Sequence, residues 1–473
     1  MTLWAVYGFQ VRSLPELADA GPPLSWLAQV PLPAATHLEI YRSLQEHYEL
    51  GHPAFLMGQN NAQGWWIYFP VAFAVKTPLP TLILLGVALL LFVKRRRPQL
   101  PVRDLALLLF PPIYAGTALL SSVDIGYRHL LPILPFVHIF IGATLPRPAS
   151  LRARFDIVRA LLLAGLVLWL VVSTIGVQPY PLTYFNALAG GPAGGYRWLV
   201  DSNLDWGQNL WDLCDWMRNK DVGRVYYSHF SPARPQVYGV NADWLPPDPR
   251  AVPFTPWDPA PGTYAIGATT LQGVYTPDVN TFAWFRNQEP VTRLGEALFL
   301  YTVPAREPLA WAAVCTQPTP VLSAEAVRAS LGRPELRVIP VDCAQSWIYP
   351  AVGSGPAAYI WPPDATPPPH SSLEVAARQS DGEPLYSVYR GQIDDSFFST
   401  ASTAEGVEAL EGPLALLSAR VQATHMHPSE TVELLWTVWQ VQERTGRPLS
   451  LMAHLIGVEG TPVIVADGLG VPV

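Results

Sequence analysis

Charge is scarce in this sequence: 30 lysines and arginines against 37 acids make up 14% of its 473 residues and leave a net charge of −7. Nothing in that distribution supplies the basic stripe that neutralises phosphates along a helix, so nucleic acid is excluded as a partner. Cysteine is scarcer still. Cys214, Cys315 and Cys343 lack the close pairing of a zinc site, so no metal is expected. Cys315 and Cys343 can pair if their domain faces an oxidising compartment, and the sequence leaves both states open. The opening MTLWAVYGFQVRSLPEL has no basic stretch followed by a long apolar core, so it is not a signal peptide.

Apolar residues are abundant: half the chain is hydrophobic, with 50 prolines and 17 tryptophans. Tryptophan at this frequency suits membrane interfaces or sugar-binding faces, besides ordinary packing. Four apolar runs, Phe69–Val93, Leu105–Leu120, Leu130–Leu145 and Val158–Val177, approach the ~20 residues that cross a bilayer, the middle two being short. Pro111, Pro112, Pro132 and Pro135 would kink the short ones and turn them toward protein. KRRR at 94–97 with Arg103, and the basic stretch 147–159, place those loops in the cytoplasm, which leaves SSVDIGYRH, residues 1–68 and everything after Val177 outside.

The expected fold is therefore a multi-pass α-helical membrane region of about four transmembrane helices, then an extracytoplasmic α/β domain and a C-terminal β-sandwich-like region, in the plasma membrane. The expected boundaries are an outer loop at 1–68, the helices at 69–178, the α/β domain at 179–305, a second outer region with a proline-rich linker at 306–408, and a partial sandwich at 409–473. With an outer first loop and no signal peptide, the chain reads as the later part of a longer polytopic protein.

Lys76 precedes Lys94 by 18 residues. On a straight helix that puts it ~27 Å away, at the outer headgroups, where it would snorkel. Arg128 and His129 arrive at the same level from the loop between the second and third runs, with Asp124 and Tyr127 placed to orient the guanidinium. Snorkelling lysines end many helices without function. Arginine on the outer side is less expected, and three cationic groups there suit an anionic lipid headgroup such as a phosphate.

Three stretches, AFLMGQNNAQGWWIYFPVAFAVKTPLP, GYRHLLPILPF and PYPLTYFNALAGGPAGGYRWLVDSNLDWGQNL, resemble bacterial membrane glycosyltransferases of family 39, relatives of the protein O-mannosyltransferases. The likeness covers roughly residues 1–303, and YRHLLP with DSNLDWGQ is its most specific part. It implies a partial GT-C fold and transfer of a sugar from a polyprenyl-phosphate-linked donor to an unknown acceptor on the outer face. By the same likeness Arg128, His129, Tyr127 and Lys76 would bind the lipid phosphate. No cofactor besides that donor is implied, and the membrane lipid itself is a partner.

The family's catalytic acid pair, in its first outer loop, has no counterpart here. Asp394–Asp395 in QIDDSFF reads as a surface turn, so no catalytic residue is assigned and the chain is expected to lack the N-terminal catalytic part. A rival reading is a non-catalytic membrane anchor that displays carbohydrate- or protein-binding domains.

Downstream, WGQNLWDLCDWMRNK has helical spacing, while RVYYSHF and GTYAIGAT read as strands. Asp201, Asn203, Asp205 and Asp212 fall on the spacing of a calcium loop, but Trp206 stands where glycine is required, and a helix N-cap explains them more simply. GGPAGG lacks a phosphate-loop lysine and reads as a turn, and His138 as an interior histidine. Past residue 409 the pattern alternates, and Trp436 and Trp439 fall on opposite strand faces.

Overall fold

A computed structural model describes residues 51–94, 102–145, 154–316, 319–344, 347–350 and 353–392, short pieces before residue 41, and strands at 414–427, 430–441, 452–456 and 462–467. The apolar runs form helices, but not four spans. α1 (Tyr68–Lys76) and α2 (Leu79–Lys94) meet at a bend of 113°. The cause is Pro78: the residue before a proline is pushed out of the helical region, and Thr77 sits at ψ 135°. α3 (Val102–Leu119) carries Pro111 and Pro112 inside it. A 3₁₀ turn (Tyr127–Ile133) uses up the start of the third run, leaving α4 (Leu134–Thr144) with 11 residues. That is ~16 Å against a hydrocarbon layer of ~30 Å.

Only α5 (Arg154–Ile175), over Ile157–Ile175, is long and apolar enough by itself to cross a bilayer among the described residues, or two spans if the bent α1–α2 pair counts as one. The expectation of a multi-pass region of four transmembrane helices is thus corrected. Hydropathy sums apolar residues without registering where proline redirects the chain. Lys76 and Lys94, accordingly, are not the two ends of one straight helix.

Beyond the helices the described chain builds two five-stranded mixed sheets. Before them, β1 (Ala54–Leu56) and β2 (Gln59–Asn61) form a small hairpin. In the first sheet β3 (Val225–Ser228), β4 (Ala242–Trp244), β5 (Gly262–Gly267), β6 (Thr292–Leu294) and β7 (Leu298–Val303) lie in the order β4-β3-β5-β7-β6. In the second, β8 (Ala312–Cys315), β9 (Val338–Val341), β10 (Ala357–Trp361), β11 (Ser371–Arg378) and β12 (Pro384–Gly391) lie in the order β9-β8-β10-β12-β11.

The two orders are the same, and so are the directions. In each sheet the first strand runs parallel to the second and third, and the fifth runs antiparallel to the third and fourth. One topology therefore occurs twice along the chain. The central strands β8 and β10 are buried throughout and read as continuous apolar runs, as strands covered on both faces do. Edge strand β11 and its neighbour β12 mix exposed and buried positions.

α6 (Leu210–Asn219) buries Leu210, Leu213, Cys214 and Met217, one helical face, against the first sheet's Tyr227, Ala265 and Leu300. α7 (Ala324–Leu331) starts at Ser323, whose hydroxyl accepts the Ala326 N–H, and ends on Gly332 in the left-handed region. The stretch WPPDATPPPHSS, expected as a linker, is the connection from β10 to β11 within one sheet. Cys315, ending β8, is disulfide-bonded to Cys343, just past the neighbouring β9.

A continuous core runs from Phe55, Tyr68 and Val75 through Leu199 and Phe285 to Val314 and Ile360, so α1, the turn after α3 and both sheets pack as one body. α2 and α4 pack through Ala88, Val137 and Ile141, while Leu90, Leu161 and Leu168 on the helices face outward. Of the expected C-terminal sandwich, the described strands form two antiparallel pairs, 414–427 with 430–441 and 452–456 with 462–467. Arg420 lies opposite Trp436 and Leu416 opposite Trp439. Asp394–Asp395, the basic residues 95–97 and residues 147–153 lie outside the described residues.

Candidate functional site

The two most specific stretches of the sequence, YRHLLP and DSNLDWGQ, meet in space through Asn203. Its side-chain oxygen accepts the Tyr127 N–H at 2.8 Å, and its amide donates to the Tyr68 hydroxyl at 2.8 Å and to the Val200 carbonyl at 3.0 Å. Its main-chain carbonyl accepts from the Lys76 ammonium at 2.6 Å. Ser202 adds a hydroxyl bond to the Ile125 carbonyl. A single buried asparagine thus ties three segments that are far apart in sequence.

Lys76 does not snorkel. It is 8% exposed, its ammonium donates also to the Leu182 carbonyl at 2.7 Å, and it lies 4.3 Å above the Phe185 ring. Gly195 permits that ring position: a Cβ there would stand 2.1 Å from it. The Asn186 amide donates to the carbonyl of Ala74 in the last turn of α1 at 2.6 Å and to that of the C-cap residue Thr77 at 2.8 Å, which closes the helix end at its break. FNALAGGPAGG is therefore a support built under Lys76.

Arg128 is exposed, but its expected partners turn elsewhere. Asp124 accepts the Trp65 N–H at 2.6 Å, and the Tyr127 hydroxyl pairs with Thr77 at 2.9 Å. The guanidinium instead lies 5.6 Å from the Trp206 ring, an indole that is 47% exposed. His129 packs edge-on to Phe69 at 6.0 Å, and burial together with the Arg128 charge pulls its pKa down, so it is neutral at neutral pH. Its Nε2 has no hydrogen-bond partner among the described residues. The expected trio of outer cations reduces to one exposed cation, Arg128.

Behind it stand acids that the sequence reading had assigned to a helix cap. Asp201 has a left-handed backbone, φ +59°, unusual for any residue but glycine. It is held there by its N–H donating to Thr269 Oγ1 at 2.9 Å and by the Tyr275 hydroxyl donating to its carboxylate. Burial raises its pKa. Asp205 bonds His229, whose Nδ1 accepts the Ser231 N–H at 2.9 Å. His229 therefore carries its proton on Nε2, facing the carboxylate, and both ring nitrogens are occupied. The real N-cap of α6 is Asn209, which makes no side-chain cap bond and donates instead to Asp212 at 3.0 Å.

Asp124 is 1% exposed, and its second oxygen has no partner among the described residues. Burial pushes its pKa up to about 6. Gly64, at φ +71°, makes room for it, since a Cβ would come within 2.4 Å of the carboxylate.

Chemically, this arrangement offers an exposed guanidinium framed by an indole, at the lip where the chain enters α4. Both oxygens of Asp201 already accept hydrogen bonds, so it is poorly placed to take a proton from a hydroxyl. Asn203 and Tyr275 are parts of this site that the sequence does not announce, while Asp124 belongs to it through Trp65 rather than through Arg128. Asn203 stands within DSNLDWGQ, but nothing local announces a partner 76 residues away. In comparisons with known proteins the chain matches no family model, no curated sequence and no solved structure.

Proposed function

We propose that this chain takes part in glycosyl transfer at the outer membrane surface by holding the phosphate end of a polyprenyl-phosphate-linked sugar, with Arg128 as the contacting residue. The observation that carries the reading is the exposed Arg128 guanidinium, which makes no ion pair among the described residues and lies over Trp206. Guanidinium donors are planar and suited to two-point bonding of phosphate oxygens. The 3₁₀ turn that carries Arg128 leads directly into apolar α4, so a bound phosphate would lie beside outward-facing apolar side chains able to meet an isoprenoid tail.

Lys76 and Tyr127 act here as positioning groups that fix the turn, and His129 as a neutral neighbour. α5 serves as the anchor in lipid. The disulfide supports an oxidising, outer location for the sheets. As the phosphate leaves the sugar, a fixed positive charge stabilises the charge that develops on it. The acceptor hydroxyl's base is not assigned. The test is binding of farnesyl phosphate, a short prenyl phosphate, to the full chain in detergent. Wild type binds it more tightly than inorganic phosphate, and Arg128→Ala loses that binding.

A further inference from the structure

A cavity of about 790 Å³ opens between the β1–β2 hairpin, the turn at 273–276 and the β11–β12 turn of the second sheet. It is lined by Trp65 and Tyr275, by Gln59, Asn60 and Asn61 of β2, and by Asp381. We propose that this cleft binds a neutral saccharide, the glycan end of the donor or of the acceptor.

The lining has the chemistry that sugars require. Trp65 and Tyr275, the latter stacked on Phe230 by one face, supply aromatic surface for C–H-rich pyranose rings, and amides with one carboxylate offer donors and acceptors for vicinal hydroxyls. Among the described residues no lysine or arginine lines it, which disfavours an anionic ligand and separates it from the Arg128 site. Its volume lies within the roughly 300–1,000 Å³ of small-molecule sites, room for a short oligosaccharide. Asn60 donates to the Gln272 carbonyl at 3.1 Å and its backbone N–H to the Ser380 carbonyl at 2.6 Å, which fixes this wall of the cleft against the second sheet.

Two contacts connect the cleft to the phosphate site. Tyr275, in its wall, donates to Asp201, and the backbone of Trp65 donates to Asp124. Arg128 lies close enough for its charge to bear on both Asp201 and Tyr275. A lipid-linked sugar with its phosphate on Arg128 would project its glycan toward Tyr275. That joint use rests on the function proposed above, whereas saccharide binding itself does not.

The experiment is saturation-transfer NMR and calorimetry on the full chain in detergent, with mannobiose, cellobiose and diacetylchitobiose as probes. At least one disaccharide binds the wild type. Asp381→Ala and Gln59→Ala, both exposed rim positions, each weaken it by about fivefold, the worth of one hydrogen bond, and Arg128→Ala leaves it unchanged. Absence of binding by all three probes overturns the proposal, as does binding that both rim variants leave intact. Disaccharide binding without farnesyl phosphate binding would sink the donor-site reading and leave the cleft standing. The converse result would sink the cleft alone.

Discussion

The ammonium of Lys76 donates to the main-chain carbonyl of Asn203 at 2.6 Å, joining the end of α1 to the turn that faces Arg128. A lysine at the end of an apolar helix is thereby turned inward. Its charge is spent on two carbonyls and an aromatic face, and the 3₁₀ turn bearing Arg128 is built on the same asparagine.

Replacing that ammonium should be costly. Lys76→Met leaves the Leu182 and Asn203 carbonyls without their shared charged donor, a loss of roughly 2–4 kcal/mol. Thermal melts in detergent should show a Tm several degrees lower, with farnesyl phosphate binding weakened only indirectly. A Tm equal to wild type would mean that Lys76 reaches solvent after all.

Asp124 makes stability depend on pH. Its folded pKa of about 6 lies above the ordinary carboxylate value of 3.8, so the folded state holds the proton more tightly than the unfolded chain. This contribution is therefore favourable below pH 4 and is lost as pH rises toward 6, up to about 3 kcal/mol. Asp124→Asn should flatten the Tm between pH 4 and pH 7. A variant with the wild-type slope would place the titrating group elsewhere.

Reduction of Cys315–Cys343, which are 28 residues apart, should destabilise the second sheet by roughly 3–4 kcal/mol through released chain entropy. Comparison of melts with and without dithiothreitol, and of Cys343→Ser, checks it. If all three coincide, the bridge adds nothing.

Trp206→Ala removes the ring beside Arg128 while keeping the guanidinium. Such a contact is worth about 0.5–1 kcal/mol at an exposed site, so farnesyl phosphate binding should weaken roughly two- to fivefold. An unchanged affinity would show that the indole does not frame the ligand.

Much of the architecture can be seen in the residues. WGQNLWDLCDWMRNK, RVYYSHF and GTYAIGAT take the helix and strand forms that their spacing predicts, because burial on one face or both leaves a local pattern. The helical region does not follow from such patterns. Its four apolar runs are real, yet Pro78 bends the first and the 3₁₀ turn shortens the third, effects of backbone geometry that hydropathy does not count. The repeated sheet topology is equally hidden: GTYAIG and AAYIW occupy equivalent places with different residues, since only burial is required there. At the site, Arg128 stands out in the sequence as a lone arginine beside an apolar run, whereas Asn203 and Tyr275 gain their roles from partners distant in sequence.

The most direct measurement is calorimetric titration of farnesyl phosphate, with inorganic phosphate as control, into the full chain in detergent, for wild type, Arg128→Lys and Arg128→Ala. A guanidinium that bonds the phosphate at two points should show a loss of about 10- to 100-fold for alanine and a smaller loss for lysine, with inorganic phosphate weaker throughout. Equal affinities in all three proteins would contradict a lipid-phosphate role for Arg128.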